Sequence, residues 1–202
     1  EKHQFPTRDK KVFYEAMRTI CRSCIDCLSE KEWITGSVKR LSTILIMHRF
    51  AEISTSTSNY SLQNAPLTLI HCDLWPNNLL YKKVGGDVRI LSVIDWQCVT
   101  IGNALFDVAA ICSISLTPEV RRANERELVE FYWNEMQKKC TKLGTHFDID
   151  LDTAHKLYRH CLKWCALVLT LMMNFQKAAD VPDQNSNEGP ISSRLRAVLQ
   201  DL

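Results

Sequence analysis

The chain has 202 residues, with 25 Lys and Arg, 23 Asp and Glu and a formal net charge of +2. This length suffices for one domain with its own hydrophobic core, and the near balance of charge gives no broad basic face for nucleic acid. The 9 cysteines form an odd count, and no basic start with an apolar run precedes them as in a signal peptide. We therefore predict reduced thiols and a cytoplasmic protein.

Apolar residues recur at helical spacing in two early segments, 10–29 and 37–53, and residues 54–61 are rich in Ser and Thr. These patterns predict two helices followed by an exposed loop.

Three cysteines in the first of these helices, Cys21, Cys24 and Cys27, have a spacing that also occurs in metal or cluster sites. The same segment carries one continuous apolar stripe at helical spacing: Phe13, Met17, Ile20, Cys24 and Leu28. Because cysteine is among the most often buried residues, a structural role on a buried helix face is favoured over metal binding.

A short apolar run, Leu67–Ile70, predicts a buried strand that delivers His71 and Asp73 at its end.

A hairpin is predicted after this strand. Residues 78–81 and 88–94 are suited to two strands, and residues 85–87 contain two glycines that permit the positive φ of a tight turn. A hairpin brings its first and last residues to one edge, so Asn78 and Asp95 are expected to lie side by side.

The rest of the chain is predicted to be helical. A helix covers 105–116, and a Thr-Pro-Glu start signal opens a second helix over 117–143 that stops at a glycine. Asp150 or Asp152 caps a long helix to about residue 178, and a polar segment over 180–190 precedes a short terminal helix.

Three polar residues suggest phosphoryl transfer. A kinase site needs a carboxylate that orients the attacking hydroxyl, an Asn or second carboxylate on the metal, and an Asp between metal and phosphates. Asp73, Asn78 and Asp95 fit these roles, and His71 has the spacing of the protein-kinase loop His-Arg-Asp-x-x-x-x-Asn. Each alone has a structural explanation, as a turn or cap residue, but their joint occurrence favours function.

Two departures point away from protein kinases, Cys72 in the loop and Trp96-Gln97 after the metal-binding Asp. With Leu74-Trp75, Gly102-Asn103 and Asp107, the segment 67–110 resembles the choline kinase-like and ecdysteroid kinase-like families, which are related to aminoglycoside phosphotransferases.

The resemblance implies an α+β, mostly helical fold, the C-terminal (large) lobe of a protein kinase-like fold with a small β-hairpin element carrying the site. Leading helices and a loop would occupy 1–66, the catalytic segment 67–110 and a helical subdomain 111–202. Complete members have a smaller N-terminal lobe with a sheet, a nucleotide loop and a phosphate-binding Lys. None of these is visible, so we expect a fragment or a truncated product that lacks this lobe.

The function implied by the resemblance is transfer of the γ-phosphoryl group of ATP, with Mg²⁺, to the hydroxyl of a small choline-like, ethanolamine-like or steroid-like alcohol. Asp73 would be catalytic, while Asn78 and Asp95 would bind metal and nucleotide. His71 and Asp107 would support the catalytic loop. Protein partners are not predicted.

The acceptor pocket is not assigned. Families of this kind build it from helices of this lobe, which makes Trp133, Tyr158 and Trp164 candidates, but each is better explained as a core residue on an amphipathic helix. Trp75 and Trp96 are interpreted as packing residues rather than as base-stacking residues.

Two alternatives remain. The chain could be a non-catalytic truncated remnant that acts as a binding or regulatory module, or, with weaker support, a metal or redox protein that uses the early cysteines. The apolar run 161–175 is too short and too interrupted by polar residues to cross a bilayer, and predicts a buried helix.

Overall fold

The computed structural model describes residues 66–178 and 189–202. The predicted helices over 10–29 and 37–53, the loop after them, the early cysteine triplet and residues 180–188 lie outside the described residues. The described part is mostly helical α+β, with two small antiparallel sheets of two strands each.

The first sheet pairs β1, Leu67–Ile70, with β4, Thr100–Asn103, in antiparallel register. β1 was predicted as a buried strand, and the strand is confirmed. The predicted burial of this strand is wrong for Leu67 and Leu69, whose side chains are 47% and 65% exposed. Ile70 is buried, as predicted. A two-stranded sheet has no second layer over its outer face within the described residues, which leaves these leucines in contact with solvent.

The second sheet is the predicted hairpin. β2, Leu79–Val84, pairs with β3, Asp87–Val93, and the turn residues Gly85 and Gly86 have φ values of 58° and 95°. Positive φ at both turn residues matches the right-handed twist of the strands, and glycine adopts it without a steric penalty. A β-bulge leaves Leu91 without a directly opposed residue.

Four helices follow: α1 Phe106–Ser115, α2 Pro118–Lys142, α3 Leu151–Ala178 and α4 Pro190–Asp201. All four were predicted. No helix within the described residues is long and apolar enough to cross a membrane.

The helix starts follow from local capping. The Thr117 hydroxyl accepts a hydrogen bond from the backbone N–H of Val120 at 3.4 Å, and Asp150 Oδ1 accepts one from Thr153 N–H at 2.7 Å. Such side chains satisfy donors that the first helical turn leaves unpaired. Asp150, rather than Asp152, is therefore the cap of α3.

The core lies around α3, which contacts α1, α2 and α4. Each helical element contributes fully buried apolar side chains, such as Ala109 in α1, Val129 in α2, Leu157 in α3 and Leu195 in α4. Burial of a valine or leucine side chain stabilises a fold by about 1.5–3 kcal/mol, so these helices carry most of the hydrophobic stabilisation of the described residues.

A buried arginine ties three helices together. Arg121 is 2% exposed, and its guanidinium donates to Glu125 Oε2 at 2.6 Å and to Asp201 on α4. The Tyr158 hydroxyl of α3 donates to the same Glu125 oxygen at 2.8 Å. Burial, reinforced by the neighbouring Cys112 and Glu125, raises the pKa of Tyr158 well above its usual value, so this phenol stays a hydrogen-bond donor.

Candidate functional site

His71 joins the loop after β1 to the end of β3. Its ring is buried, and Nε2 lies 2.8 Å from the carbonyl oxygen of Ile94, while Nδ1 accepts the backbone N–H of Asp73 at 3.3 Å. A carbonyl oxygen only accepts, so the tautomer with its proton on Nε2 satisfies both bonds. The Trp96 ring packs against this imidazole with 4.7 Å between centroids, and so helps to fix its orientation.

Asp107, in the first turn of α1, holds the same loop from the other side. Its Oδ2 accepts the backbone N–H of His71 at 2.7 Å, and its Oδ1 accepts that of Cys72 at 3.0 Å. Cys72 has a φ of 66°, in the left-handed region that is costly for a residue with a Cβ. Charge-assisted bonds to two successive N–H groups help to hold the loop in this shape.

Asn78 fixes the position of Asp73. It is buried, and its Nδ2 donates to the backbone oxygen of Asp73 at 2.8 Å and to Asp73 Oδ2 at 3.2 Å. The backbone oxygen of Asn78 in turn accepts the N–H of Ile94 at 3.0 Å. The Asp73 carboxylate is thereby oriented by a side chain that is itself tied to the hairpin.

Asp95 follows directly at the open end of the hairpin. The bond between Asn78 and Ile94 confirms the prediction that the start and end of the hairpin meet at one edge. Asp95 is exposed, has φ 63° and ψ 55°, and its Oδ2 accepts a weak bond from Gln97 Nε2 at 3.4 Å. Within the described residues, Cys72 and Asp95 are the non-glycine positions with positive φ, and both lie at this site.

A cavity of about 250 Å³ opens beside Asp73. One wall is the loop itself, residues 72–75. The other walls are the facing surfaces of α1 and α3, through Phe106, Ala110 and Ile114 on α1 and Trp164, Cys165, Val168 and Met172 on α3. Asp73 is the one charged side chain among these lining residues.

The thiols at this cavity have pKa values raised by burial. Burial, reinforced by the carboxylates of Asp107 and Asp73 and by Cys98, raises the pKa of Cys72 to about 11. Burial likewise raises the pKa of Cys165 to about 12. Because only the thiolate attacks or binds metals strongly, these groups behave as small apolar wall elements.

The aromatic residues considered for the acceptor pocket or for base stacking lie in different parts of the fold. Trp164 and Trp75 line the cavity, whereas Tyr158 is buried in the arginine network and the Trp133 indole N–H donates to the Ile149 carbonyl at 2.9 Å. Trp96 is 47% exposed and packs on His71.

Sequence reasoning missed most of the cavity wall. The signal was present as two runs at i, i+4 and i+8, from residue 106 on α1 and from residue 164 on α3, which place their members on one face of each helix. No local sequence signal predicts that these faces of α1 and α3 pack against each other.

The donor set suits a hard, partly hydrated cation better than zinc. No group of three or more His, Cys, Asp or Glu side chains converges within the part of the chain that the structure describes. The site instead offers the carboxylates of Asp73 and Asp95 and the amide of Asn78, and magnesium is typically bound by one or two carboxylates plus water and phosphate oxygens.

Comparison with known proteins decides the family. The model of the ecdysteroid kinase-like family matches residues 1–145, which includes the whole loop and hairpin. The chain belongs to the ecdysteroid kinase-like family. This confirms the resemblance read from residues 67–110, and membership in this family points to kinase-like function.

Two curated relatives from Caenorhabditis elegans match part of the chain. An uncharacterized kinase-like protein is 31% identical over 90 residues, which cover 44% of this chain and 23% of that protein. An uncharacterized oxidoreductase is 31% identical over 96 residues, covering 45% of this chain and 12% of that protein. The matched segments thus cover less than a quarter of the length of either relative. No solved structure matches it.

Proposed function

We propose that the chain is the catalytic side of an ATP-dependent phosphotransferase, which transfers the γ-phosphoryl group of Mg-ATP to a hydroxyl of a small molecule. On this proposal the described residues correspond to the larger, C-terminal lobe of a kinase-like fold. The observation that carries the proposal is the hydrogen bond from Asn78 to the carboxylate of Asp73, which lines a cavity of about 250 Å³.

Asp73 is the proposed catalytic residue. Its carboxylate borders the cavity, and Asn78 holds one of its oxygens at 3.2 Å. A hydroxyl that enters the cavity would donate to this carboxylate and so point its oxygen lone pair at the phosphoryl group. Because the transition state of phosphoryl transfer is loose, such orientation contributes more than removal of the proton.

Asn78 and Asp95 are the proposed ligands of Mg²⁺. Both side-chain hydrogen bonds of Asn78 use Nδ2, which leaves the amide oxygen on the opposite side. Asp95 is exposed at the same edge of the hairpin, so its carboxylate can approach a hydrated ion without burial. When bound, the ion would neutralise charge on the phosphates of ATP.

His71 and Asp107 are proposed as supporting residues that do not touch the reactants. His71 bonds to the backbone of Asp73 and of Ile94, the residue before Asp95. Asp107 bonds to the backbone of the loop between β1 and Asp73. Together they fix the relative positions of the two carboxylates that the chemistry needs.

The test is ATP consumption in the presence of a panel of alcohols, with this chain and with the natural gene product that contains it. Asp73→Asn and Asp95→Asn are expected to lower kcat by about 10²–10⁴-fold, the range for loss of a positioned catalytic group. Asp87→Asn is the matched control, since Asp87 is an exposed Asp at the far end of the same hairpin. It should leave kcat unchanged.

Turnover that survives both substitutions at the site would refute the assignment of Asp73 and Asp95. Absence of turnover in the chain and in the gene product, with alcohol binding retained, would favour the alternative of a non-catalytic binding module.

A further inference from the structure

Two cysteines face each other at the end of the first sheet, beside the candidate site. The antiparallel pairing of β1 with β4 ends with Ile70 opposite Thr100. Two residues onward from Ile70 is Cys72, and two residues back from Thr100 is Cys98. Directly opposed residues of antiparallel strands have Cα atoms about 4.5–5.5 Å apart, within the range of about 4.4–6.8 Å that a disulfide spans. The register of the sheet therefore brings these two cysteines to opposed positions just beyond its end.

Contacts beyond the last strand pair keep the two segments together. His71 Nε2 lies 2.8 Å from the carbonyl oxygen of Ile94, and its ring packs on Trp96 with 4.7 Å between centroids. Trp96 and Cys98 are the two ends of one short 3₁₀ turn, Trp96–Cys98. Cys98 is also close enough for its charge to contribute to the raised pKa of Cys72. The segment with Cys98 thus stays packed against the loop that carries Cys72.

The two thiols differ in their access to solvent. Cys98 is exposed, whereas Cys72 is half-buried beside the candidate site. A small oxidant can therefore reach Cys98, while Cys72 is placed to react with a neighbouring sulfur of the same chain. An accessible cysteine next to a second, resolving cysteine is the usual arrangement of a redox-sensitive pair.

We infer that Cys72 and Cys98 form a reversible disulfide across the candidate site, with a low-molecular-weight disulfide such as oxidised glutathione as the oxidant. The Cys98 thiolate attacks one glutathione sulfur, which forms a mixed disulfide and releases one glutathione thiolate. The Cys72 thiolate then attacks the Cys98 sulfur, which forms the internal bridge and releases the second glutathione thiolate. The two protons of the protein thiols end on the two released glutathiones, and the two electrons that the protein sulfurs lose reduce the glutathione disulfide.

The second of these steps is expected to be the slower one. With a pKa raised to about 11, Cys72 is rarely a thiolate at neutral pH. The thiolate that does form is strongly nucleophilic, because nucleophilicity rises with thiol pKa, and its target lies within the same molecule. The mixed disulfide at Cys98 should therefore appear first and decay into the internal bridge.

The bridge would restrain the geometry of the candidate site. It joins the residue before Asp73 to the turn that follows Asp95, and so adds a covalent link to the hydrogen bonds that Asp107 makes with the loop. The backbone N–H groups of His71 and Cys72, which these bonds protect, should exchange with solvent more slowly in the oxidised chain than in the reduced one.

The test equilibrates the full chain with mixtures of reduced and oxidised glutathione at neutral pH, followed by acid quenching, digestion without reduction and mass spectrometry. The expected result is a peptide pair joined through Cys72 and Cys98, lighter by two hydrogen atoms than the separate peptides, which excess reduced glutathione removes. Cys98→Ser, a change at an exposed side chain, should abolish this pair. Cys140→Ser is the matched control at a partly buried cysteine of α2, and it should leave the yield unchanged.

Several outcomes would overturn the inference. These are a mixed disulfide at Cys98 that persists without an internal bridge, a bridge from Cys72 or Cys98 to another cysteine such as Cys21, and an equal yield of the bridge in the urea-unfolded chain. Equal amide exchange of residues 71 and 72 in the oxidised and reduced forms would contradict the restraint on the site. All of these measurements are independent of phosphoryl transfer, so they do not depend on the proposed function.

Discussion

The helical body, α1 to α4, and the loop–hairpin region, residues 67–103, are stabilised in different ways. In the helical body, side chains such as Leu157 and Leu195 are fully buried. In the loop–hairpin region, Leu69 and Ile90 are 65% and 62% exposed, and the site residues are held by hydrogen bonds. Apolar burial therefore accounts for the stability of the helices, whereas polar contacts set the geometry of the candidate site.

Asp107 is one of the residues at which the two regions meet. It belongs to α1, yet both of its oxygens bond to backbone N–H groups of the loop. Substitutions in the helical body should therefore lower stability, whereas substitutions such as Asp73→Asn should lower activity alone. Substitution of Asp107 should lower both stability and activity.

The largest effect on stability is expected from Arg121→Met. Loss of this buried guanidinium removes its ion pairs with Glu125 and Asp201, to which Tyr158 and Arg122 still bond, and breaking a buried ion pair from one side costs about 3–5 kcal/mol. Because those carboxylates are 26% and 27% exposed, we expect a loss near the lower end, about 3 kcal/mol, in urea unfolding.

Arg122→Met is the matched control for this substitution. Arg122 is the next residue, bonds to the same Asp201, and has a side chain that is 42% exposed. An exposed pair contributes about 0–1 kcal/mol, so the control should remain near the wild-type value. Equal losses in the two variants would contradict the distinction between buried and exposed arginines.

A smaller loss is expected from Asp107→Ala. Two partly buried N–H groups, of His71 and Cys72, would lose their acceptor, and an unsatisfied buried group costs about 1–3 kcal/mol. Amide hydrogen exchange at residues 71 and 72 should accelerate, and kcat should fall with it. Asp148→Ala, which removes an exposed carboxylate between α2 and α3, serves as the control and should change neither quantity.

A smaller effect, present at neutral pH and lost in acid, is expected from Asp201→Asn. Burial tends to raise the pKa of Asp201, but hydrogen bonds from Arg122 and Arg121 outweigh it and hold the pKa below its ordinary value of 3.8. A depressed folded-state pKa stabilises the fold above the unfolded pKa, and that stabilisation is lost as pH falls through the folded one.

The difference in unfolding free energy between wild type and Asp201→Asn should therefore be constant near neutral pH and shrink below pH 3.8. Urea unfolding across this range measures it. A difference that grows toward acid pH would show that the carboxylate is not the charged partner of the two arginines.

The smallest perturbation is alkylation of thiols. The rate at which each cysteine is modified should distinguish the two regions. Cys98, after the hairpin, is exposed, while Cys112 and Cys165 in the helical body are buried and have pKa values raised by burial to about 11 and about 12. Among the cysteines that the structure describes, iodoacetamide at neutral pH should modify Cys98 first, as site-resolved mass spectrometry can measure. Modification of Cys165 at the same rate would contradict the packed helical core.

Local signals made the helices and the hairpin predictable. Thr117 and Asp150 cap their helices as their residue types indicate, and Gly85-Gly86 forms the turn that glycines allow. The site residues were also readable, because a loop that ends a strand brings Asp73 and Asn78 together by short-range hydrogen bonds.

What could not be predicted depends on contacts between distant residues. β4 has a glycine and a single large apolar residue, so its pattern did not indicate a strand, and it forms through pairing with β1, which lies 30 to 36 residues earlier. The cavity likewise needs the faces of α1 and α3 to meet, which is a property of packing rather than of either helix. The exposure of Leu67 and Leu69 has the same origin, because an apolar run alone does not specify what covers it.

The left-handed backbone at Cys72 and Asp95 has a consequence for mutational tolerance. Glycine, asparagine and aspartate adopt this conformation at low cost, whereas β-branched residues are genuine outliers there. In a library of all substitutions at position 72, folded clones should therefore be enriched in Gly, Asn and Asp and depleted in Val, Ile and Thr. Backbone shape, rather than the chemistry of the thiol, then sets which residues can occupy this position.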